Sequence, residues 1–302
     1  MASQNSTPPI MTSPTGTGVA LVTPFNATGQ LDLDGLTALV HHCIAGGVDF
    51  LVAMGTTAES ATLSKKERQA AIQCILSANQ GQLPVVLGVG GNDTAAIAEA
   101  FALIPDGIDA ILSVSPYYNK PTQEGIYQHF RTLAAATDLP IILYNVPGRT
   151  ASNVTAETTL RLAHDVDNIV AVKEASGDMG QVMAIIKDAP EDFAILSGDD
   201  NLTLAMLSMG GHGVISVSGQ GFPKPFSNMV SLALAGDVVQ ARSPHYALLD
   251  ITNLLFEEGN PAGIKRVLQE LGICESHVRQ PLWAISEDLT TRICAATKAL
   301  MD

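Results

Sequence analysis

The chain has 302 residues, of which 46% are apolar and 15% charged, with a formal net charge of −14 and a pI of about 4.7. So acidic a surface excludes nucleic acid and anionic membranes as natural partners, and leaves any anionic substrate to be held by local donors and cations. No apolar run reaches the roughly 18 residues that cross a bilayer; the length suits one large domain with an appendage, and the low charge content implies much surface hidden inside or between subunits.

Residues 1–15 are rich in Ser, Thr and Pro and lack a basic cluster followed by an apolar block, so they read as a disordered leader and not as a secretory signal. Eight short apolar, β-branched runs follow, predicted as strands over 18–23, 49–53, 85–88, 110–114, 141–145, 169–173, 194–197 and 213–217. Helical stretches separate them. The first carries Leu36, Leu39, Val40, Cys43 and Ile44 on one face and stops at Gly46-Gly47, a C-cap signal. Ser64 and Glu67 form the signature of a capping box, and Asp93, Thr122 and Thr155 are placed to cap later helices. Residues 238–256, 261–271 and 288–300 read as helices with no strand between them. Cys43, Cys74, Cys274 and Cys294 are far apart and form no CxxC, which predicts buried free thiols in a reducing cytoplasm. The seven histidines contain no HExxH; His41 and His42 share a helix, and no metal site is expected.

Eight strand–helix units in succession imply parallel strands, since each helix carries the chain back to the same edge. Nearly continuous apolar runs suit strands covered on both faces. The expected architecture is therefore α/β: a (β/α)8 TIM barrel over 16–236, followed by a small C-terminal helical domain over 237–302. The alternative, an open doubly wound sheet, lacks its glycine fingerprint: the first run leads into Val22-Thr23-Pro24-Phe25-Asn26, and Gly88-Val89-Gly90-Gly91 has no final glycine.

In such a barrel the chemistry belongs at the C-terminal ends of the strands. Lys173 ends the sixth run with no other charge in it. Burial there disfavours the ammonium, and a neutral amine attacks a ketone to give an imine. The plainer reading is a strand-end lysine paired with Glu174 or Asp199. Tyr144, Tyr118 and Thr56 bring hydroxyls to neighbouring strand ends, where they are able to relay protons during imine formation; singly, each reads as packing or turn chemistry. Arg149 follows Pro147-Gly148 and suits a bidentate grip on a carboxylate as well as it suits a solvated surface. Thr57, on the turn after Gly55, offers a hydroxyl and a backbone N–H to a second carboxylate, or serves the turn alone.

The segments GTTAES (55–60), PYYNKP (116–121), YNVPGRT (144–150), VKEA (172–175), LSGDD (196–200) and GVIS (213–216) resemble, in order and spacing, the 4-hydroxy-tetrahydrodipicolinate synthase (dihydrodipicolinate synthase) family of the pyruvate-dependent class I aldolases. The resemblance runs from about residue 16 to the C-terminus. It implies that Lys173 forms the Schiff base with pyruvate and that Tyr144 shuttles protons. Thr56 and Tyr118 would complete the relay, with Tyr118 crossing from a neighbouring subunit. Thr57 would hold the pyruvate carboxylate and Arg149 that of L-aspartate 4-semialdehyde; Gly198 and Ile215 would line the pyruvate pocket. It further implies no cofactor beyond the covalent imine, a homotetramer built as a dimer of dimers, and a place in the diaminopimelate route to lysine.

Two departures stand out. Ala58 replaces the family's usual glycine, which would strain the turn if the position needs a positive φ. Ser60, Ala61, Asn92 and Tyr117 match a regulatory lysine site at the dimer interface, but Lys65 and Arg68 replace residues often histidine there and Ala96 replaces a glutamate. Losing an anion and gaining cations predicts weak or no inhibition by lysine. The rival readings are a sister aldolase such as N-acetylneuraminate lyase, against which Thr56 and Arg149 argue, and a non-catalytic barrel that binds a keto acid.

Overall fold

The computed structural model describes Met11 and residues 13–301; the expected leader falls mostly outside the described residues, although Met11 and Pro14 are buried. In chain order the elements are β1 (Gly16–Ala20), α1 (Leu33–Ala45), β2 (Phe50–Ala53), α2 (Lys65–Asn79), β3 (Val85–Gly88), α3 (Thr94–Phe101), β4 (Ala110–Val114) and α4 (Gln123–Ala134). There follow β5 (Ile141–Asn145), the single turn α5 (Pro147–Thr150), α6 (Ala156–Asp165), β6 (Ile169–Glu174), α7 (Met179–Asp188), β7 (Ala194–Ser197), α8 (Thr203–Ser208), β8 (Gly213–Ser216) and α9 (Pro223–Leu234). Three further helices, α10 (Val238–Glu257), α11 (Ala262–Glu270) and α12 (Glu287–Met301), complete it.

The strands form a closed barrel in sequence order, every neighbour parallel, with β8 returning to pair with β1. The open-sheet alternative is thereby excluded. The local signals act as expected. Ser64 and Glu67 form a reciprocal capping box on α2, and Asp93, Thr122 and Thr155 each accept backbone N–H groups of the helix they precede. Gly46 and Gly47 end α1, Gly47 with φ +80°. The first strand was expected over 18–23 but lies two residues earlier. Leu21 donates to the Val52 carbonyl, but the next N–H, of Val22, turns to the Gln220 side chain and leaves the ladder. The apolar run is real, for Leu21, Val22 and Thr23 are all buried; it is simply longer than the strand. Of the thiols, Cys43 and Cys274 are buried as expected, whereas Cys74 and Cys294 are only half-buried, at helix positions facing partly outward. No helix among the described residues is long and apolar enough to cross a membrane.

The strand pleat sorts side chains into two sets. Ala20, Phe50, Val52, Val86, Ala110, Leu112, Ile142, Ala171, Ala194, Leu196 and Ile215 fill the barrel interior as one cluster. Their alternates, including Leu51, Leu87, Ile111, Leu143, Val172, Ile195 and Val214, pack against the surrounding helices. One step along a strand therefore moves a side chain from the barrel axis to the helix layer.

Candidate active site

That two-residue step places Tyr144 (after Ile142) and Lys173 (after Ala171) in the interior column of adjacent strands, as direct partners in the β5–β6 register. The Lys173 Nζ sits 4.5 Å from the centre of the Tyr144 ring. Lys173 is 5% exposed, yet it takes no part in the ion pairs formed among the described residues, unlike Lys265, which pairs with Glu59. Glu174 was one partner considered for it. The pleat sends Glu174 to the opposite face, where its oxygens accept from Asn145 Nδ2 (3.1 and 3.0 Å), the Ser176 N–H (2.8 Å) and Gln181 Nε2 (2.9 Å). Its charge is met by neutral donors and is not needed by the lysine. Asp199, the other partner considered, has its carboxyl pushed up by burial and by neighbouring Asp200 and Glu174, with Lys173 pulling it the other way.

Ile215 lies in the interior cluster on β8, and Gly198 directly follows β7, two residues beyond the interior Leu196. A Cβ at Gly198 would lie 2.5 Å from the Ala175 Cβ and 3.1 Å from the Lys173 Cε. Glycine is therefore required here by space: the lysine stem runs across this position.

The loops at the barrel mouth hold the remaining residues in uncommon backbone conformations. Among the described residues, six non-glycine residues have a positive φ, and five of them are in these loops: Met54, Glu59, Tyr118, Lys120 and Ala151. Such strain concentrates where the surrounding structure demands one particular geometry. Met54 and Glu59 bracket the turn of Thr56 and Thr57. Ala58 is not among them; it lies buried in that turn, and the left-handed residue is Glu59, so alanine brings no strain at 58. Thr57 is buried and accepts from Asn260 Nδ2 at 2.9 Å, while Thr56 is exposed. Arg149 is exposed on α5, ahead of Ala151.

A cleft of about 920 Å³ opens over this mouth, and Thr56, Tyr144, Arg149 and Asn260 are on its walls. Lys173 is set behind the Tyr144 ring and is not a wall residue. The cleft continues between α2 and α3, where Ser60, Ala61, Arg68, Asn92, Ala96 and Tyr117 line it; Lys65 does not. Arg68 is partly committed already, donating through Nε and Nη2 to the Ser60 carbonyl (3.1 and 2.8 Å). Asn92 Nδ2 donates to the Tyr117 carbonyl at 3.0 Å.

The structure thus brings Lys173, Tyr144, Gly198 and Ile215 together and sets Thr56 and Arg149 on the cleft above them. It does not bring Tyr118 to them within one chain. Tyr118 is 87% exposed and left-handed (φ 73°), its backbone N–H donating to the Thr150 carbonyl at 3.4 Å. Sequence reasoning missed Asn260, which touches Thr57, and the Glu59–Lys265 pair, which anchors the same loop. Neither had a sequence signal, because each partner in the C-terminal segment is more than two hundred positions away.

Residues 13–300 match the model of the dihydrodipicolinate synthetase family. The chain belongs to that family. A 4-hydroxy-tetrahydrodipicolinate synthase from Flavobacterium psychrophilum is 52% identical over 286 residues, covering 94% of this chain and 98% of that one. Among solved structures, a chloride-inhibited dihydrodipicolinate synthase from Acinetobacter baumannii in complex with pyruvate superposes with a TM-score of 0.91 at 38% identity, over 94% of this chain and 98% of the other. The lysine-bound enzyme of Cyanidioschyzon merolae gives a TM-score of 0.91 at 40% identity, over 94% and 97%. The family's barrel and appended helices are those found here.

Proposed function

We propose that this enzyme is a 4-hydroxy-tetrahydrodipicolinate synthase that binds pyruvate covalently on Lys173 and condenses it with L-aspartate 4-semialdehyde. The observation that carries the reading is a lysine buried in the barrel interior, in no ion pair among the described residues, beside a tyrosine ring, in a chain of this family. Its place inside the barrel against the Tyr144 ring suits this amine to nucleophilic attack on a bound ketone. The amine adds to the pyruvate ketone, and the carbinolamine loses water to give the iminium. The iminium then draws electrons from the adjacent methyl, which loses a proton to form the enamine. The enamine carbon attacks the aldehyde of the semialdehyde, making the new carbon–carbon bond. The semialdehyde amine next displaces the Lys173 amine from the former ketone carbon, closing the ring and restoring the enzyme. No cofactor is needed beyond the imine.

Tyr144, in contact with the lysine, moves the protons these steps require. Thr56 and Tyr118 extend that relay, with Tyr118 supplied across a subunit boundary. Its exposure and its strained backbone support a side chain built to project away from its own barrel. A crossing tyrosine calls for at least a dimer, and the family resemblance extends this to a homotetramer of paired dimers. Thr57 holds the pyruvate carboxylate, Gly198 and Ile215 shape the pocket around it, and Arg149 on the cleft wall receives the semialdehyde carboxylate. In a chain of net charge −14 these local donors replace any help from the overall field. Residues 16–236 form the catalytic unit and 237–302 its helical appendage. The four free thiols support a reducing compartment, the cytoplasm.

The test is reduction with borohydride in the presence of pyruvate, followed by mapping of the adduct. The expected result is a mass increase on Lys173, lost in Lys173→Ala, together with condensation of L-aspartate 4-semialdehyde and no cleavage of N-acetylneuraminate. An unlabelled Lys173 would remove the reading. Labelling without condensation would point to another aldolase or to a keto-acid sensor.

A further inference from the structure

The C-terminal helices clamp the loop that follows β2. Glu59, wholly buried, accepts from the Lys265 ammonium at 2.5 Å on one oxygen and from the Arg279 backbone N–H at 2.8 Å on the other. Lys265 donates again to the His277 carbonyl at 2.7 Å. The Arg279 guanidinium reaches the carbonyls of Gly29 and Thr62 and the Glu67 carboxylate. With its backbone held from these sides, the loop keeps one loose element that matters for an anion, the rotor of the Thr57 hydroxyl. Asn260, between α10 and α11 and on the wall of the cleft, donates Nδ2 to Thr57 Oγ1 at 2.9 Å. A hydroxyl has one proton and two lone pairs. Asn260 takes up one lone pair, and nothing among the described residues accepts the proton, so the proton is directed away from Asn260. Asn260 Oδ1 is itself buried without a partner among the described residues, a state that native structures keep for a reason.

We infer that Asn260 is a positioning residue for the keto-acid carboxylate: by donating to Thr57 it turns the Thr57 hydroxyl into a fixed donor for that anion. The inference rests on the reading above, in which Thr57 holds the pyruvate carboxylate. Asn260 touches the substrate only through Thr57, so its contribution is pre-organisation, which appears in binding and not in the chemical step.

A double-mutant cycle on the full chain tests this, with kcat, the pyruvate KM and the melting temperature measured for Asn260→Ala, Thr57→Val and the pair. A hydroxyl released among three staggered positions loses most of its bias toward the anion, so Asn260→Ala raises the pyruvate KM roughly 3- to 10-fold. The semialdehyde KM and kcat stay within about 2-fold. In the Thr57→Val background the same substitution adds nothing, because no hydroxyl remains to be oriented. A loop that had merely loosened would lower kcat and the melting temperature and would add its effect in both backgrounds, which overturns the inference. So does a pyruvate KM that is unchanged, or one that falls, the outcome if the Asn260 carbonyl takes the Thr57 proton. A Thr57→Val enzyme with an unaltered pyruvate KM removes instead the role given to Thr57 itself. If Asn260→Ala does not fold, Asn260→Asp keeps the shape of the side chain. The rise it causes in the Thr57→Val background is charge repulsion alone; a larger rise with Thr57 present supports the inference, and an equal one overturns it.

Discussion

Replacing Lys265 by methionine strands the Glu59 carboxylate inside the protein. Both side chains are 0% exposed, and the 2.5 Å pair is the only full countercharge in direct ion-pair contact with Glu59 among the described residues. The neighbouring donor that remains is the Arg279 backbone N–H, with the Arg279 guanidinium engaged elsewhere by Gly29, Thr62 and Glu67. Removing one partner of a buried pair typically costs about 3–5 kcal/mol, because the other charge stays desolvated. Methionine restores most of the packing of the lysine stem, although the ammonium's approach to the Phe25 ring, 4.3 Å from its centroid, is also lost. A loss of about 4 kcal/mol corresponds to a melting temperature lower by about 6 °C in a chain of this length, from the usual unfolding entropy per residue. Glu59→Gln in the same chain removes the stranded charge. The double variant should therefore recover roughly 1–3 kcal/mol relative to the sum of the single losses. Thermal melts followed by circular dichroism, with the pyruvate KM measured alongside, read both consequences: Lys265→Met melts early and binds pyruvate weakly because the loop carrying Thr56 and Thr57 has lost its anchor. A Lys265→Met protein that melts within about 1 °C of the parent, or a double variant no better than the sum, refutes the claim that this pair holds the loop.

Gly198→Ala should cut kcat by about 10-fold or more in a steady-state assay, because its Cβ would meet the Ala175 Cβ at 2.5 Å and displace the Lys173 stem, and even small misplacement of a nucleophile is costly. Burial pushes the His129 imidazole down to about 4. As pH falls from 6.5 toward 4 the unfolded chain binds a proton that the folded one refuses, so stability declines through that window and levels off below it. Urea melts across this range should give a flatter profile for His129→Leu if the imidazole is responsible. Lysine should inhibit weakly or not at all at sub-millimolar concentration. Ala96→Glu, which restores a carboxylate on the wall of the α2–α3 cleft, should strengthen inhibition; an unmodified enzyme strongly inhibited in that range contradicts the charge argument.

Much of this was legible before any coordinates. The eight apolar runs announced eight strands, since a parallel strand buried on both faces has no polar side to show. The caps at Asp93, Thr122 and Thr155 and the box at Ser64 and Glu67 are local, and their hydrogen bonds close within three residues. Lys173 was conspicuous because a charge at the end of such a run is expensive. The end of β1 was placed too late because burial continues through Thr23 after the ladder has ended; hydrophobicity reports burial, and only pairing defines a strand. The concern over Ala58 was misplaced by one residue, because the sequence does not say which member of GTTAES turns left-handed, and it is Glu59.

By itself the sequence determined the parts whose physics is local or periodic: the strands and helices, their order, the parallel closure that follows from alternation, and which strand ends carry reactive groups. Only the tertiary structure decided which of those groups meet. It set Lys173 against Tyr144 through the β5–β6 register, and joined Thr57 to Asn260 and Glu59 to Lys265 across 203 and 206 positions of chain. Contacts at that separation arise from how the barrel closes and how the last helices dock, and a linear pattern of residue types holds no period that encodes them.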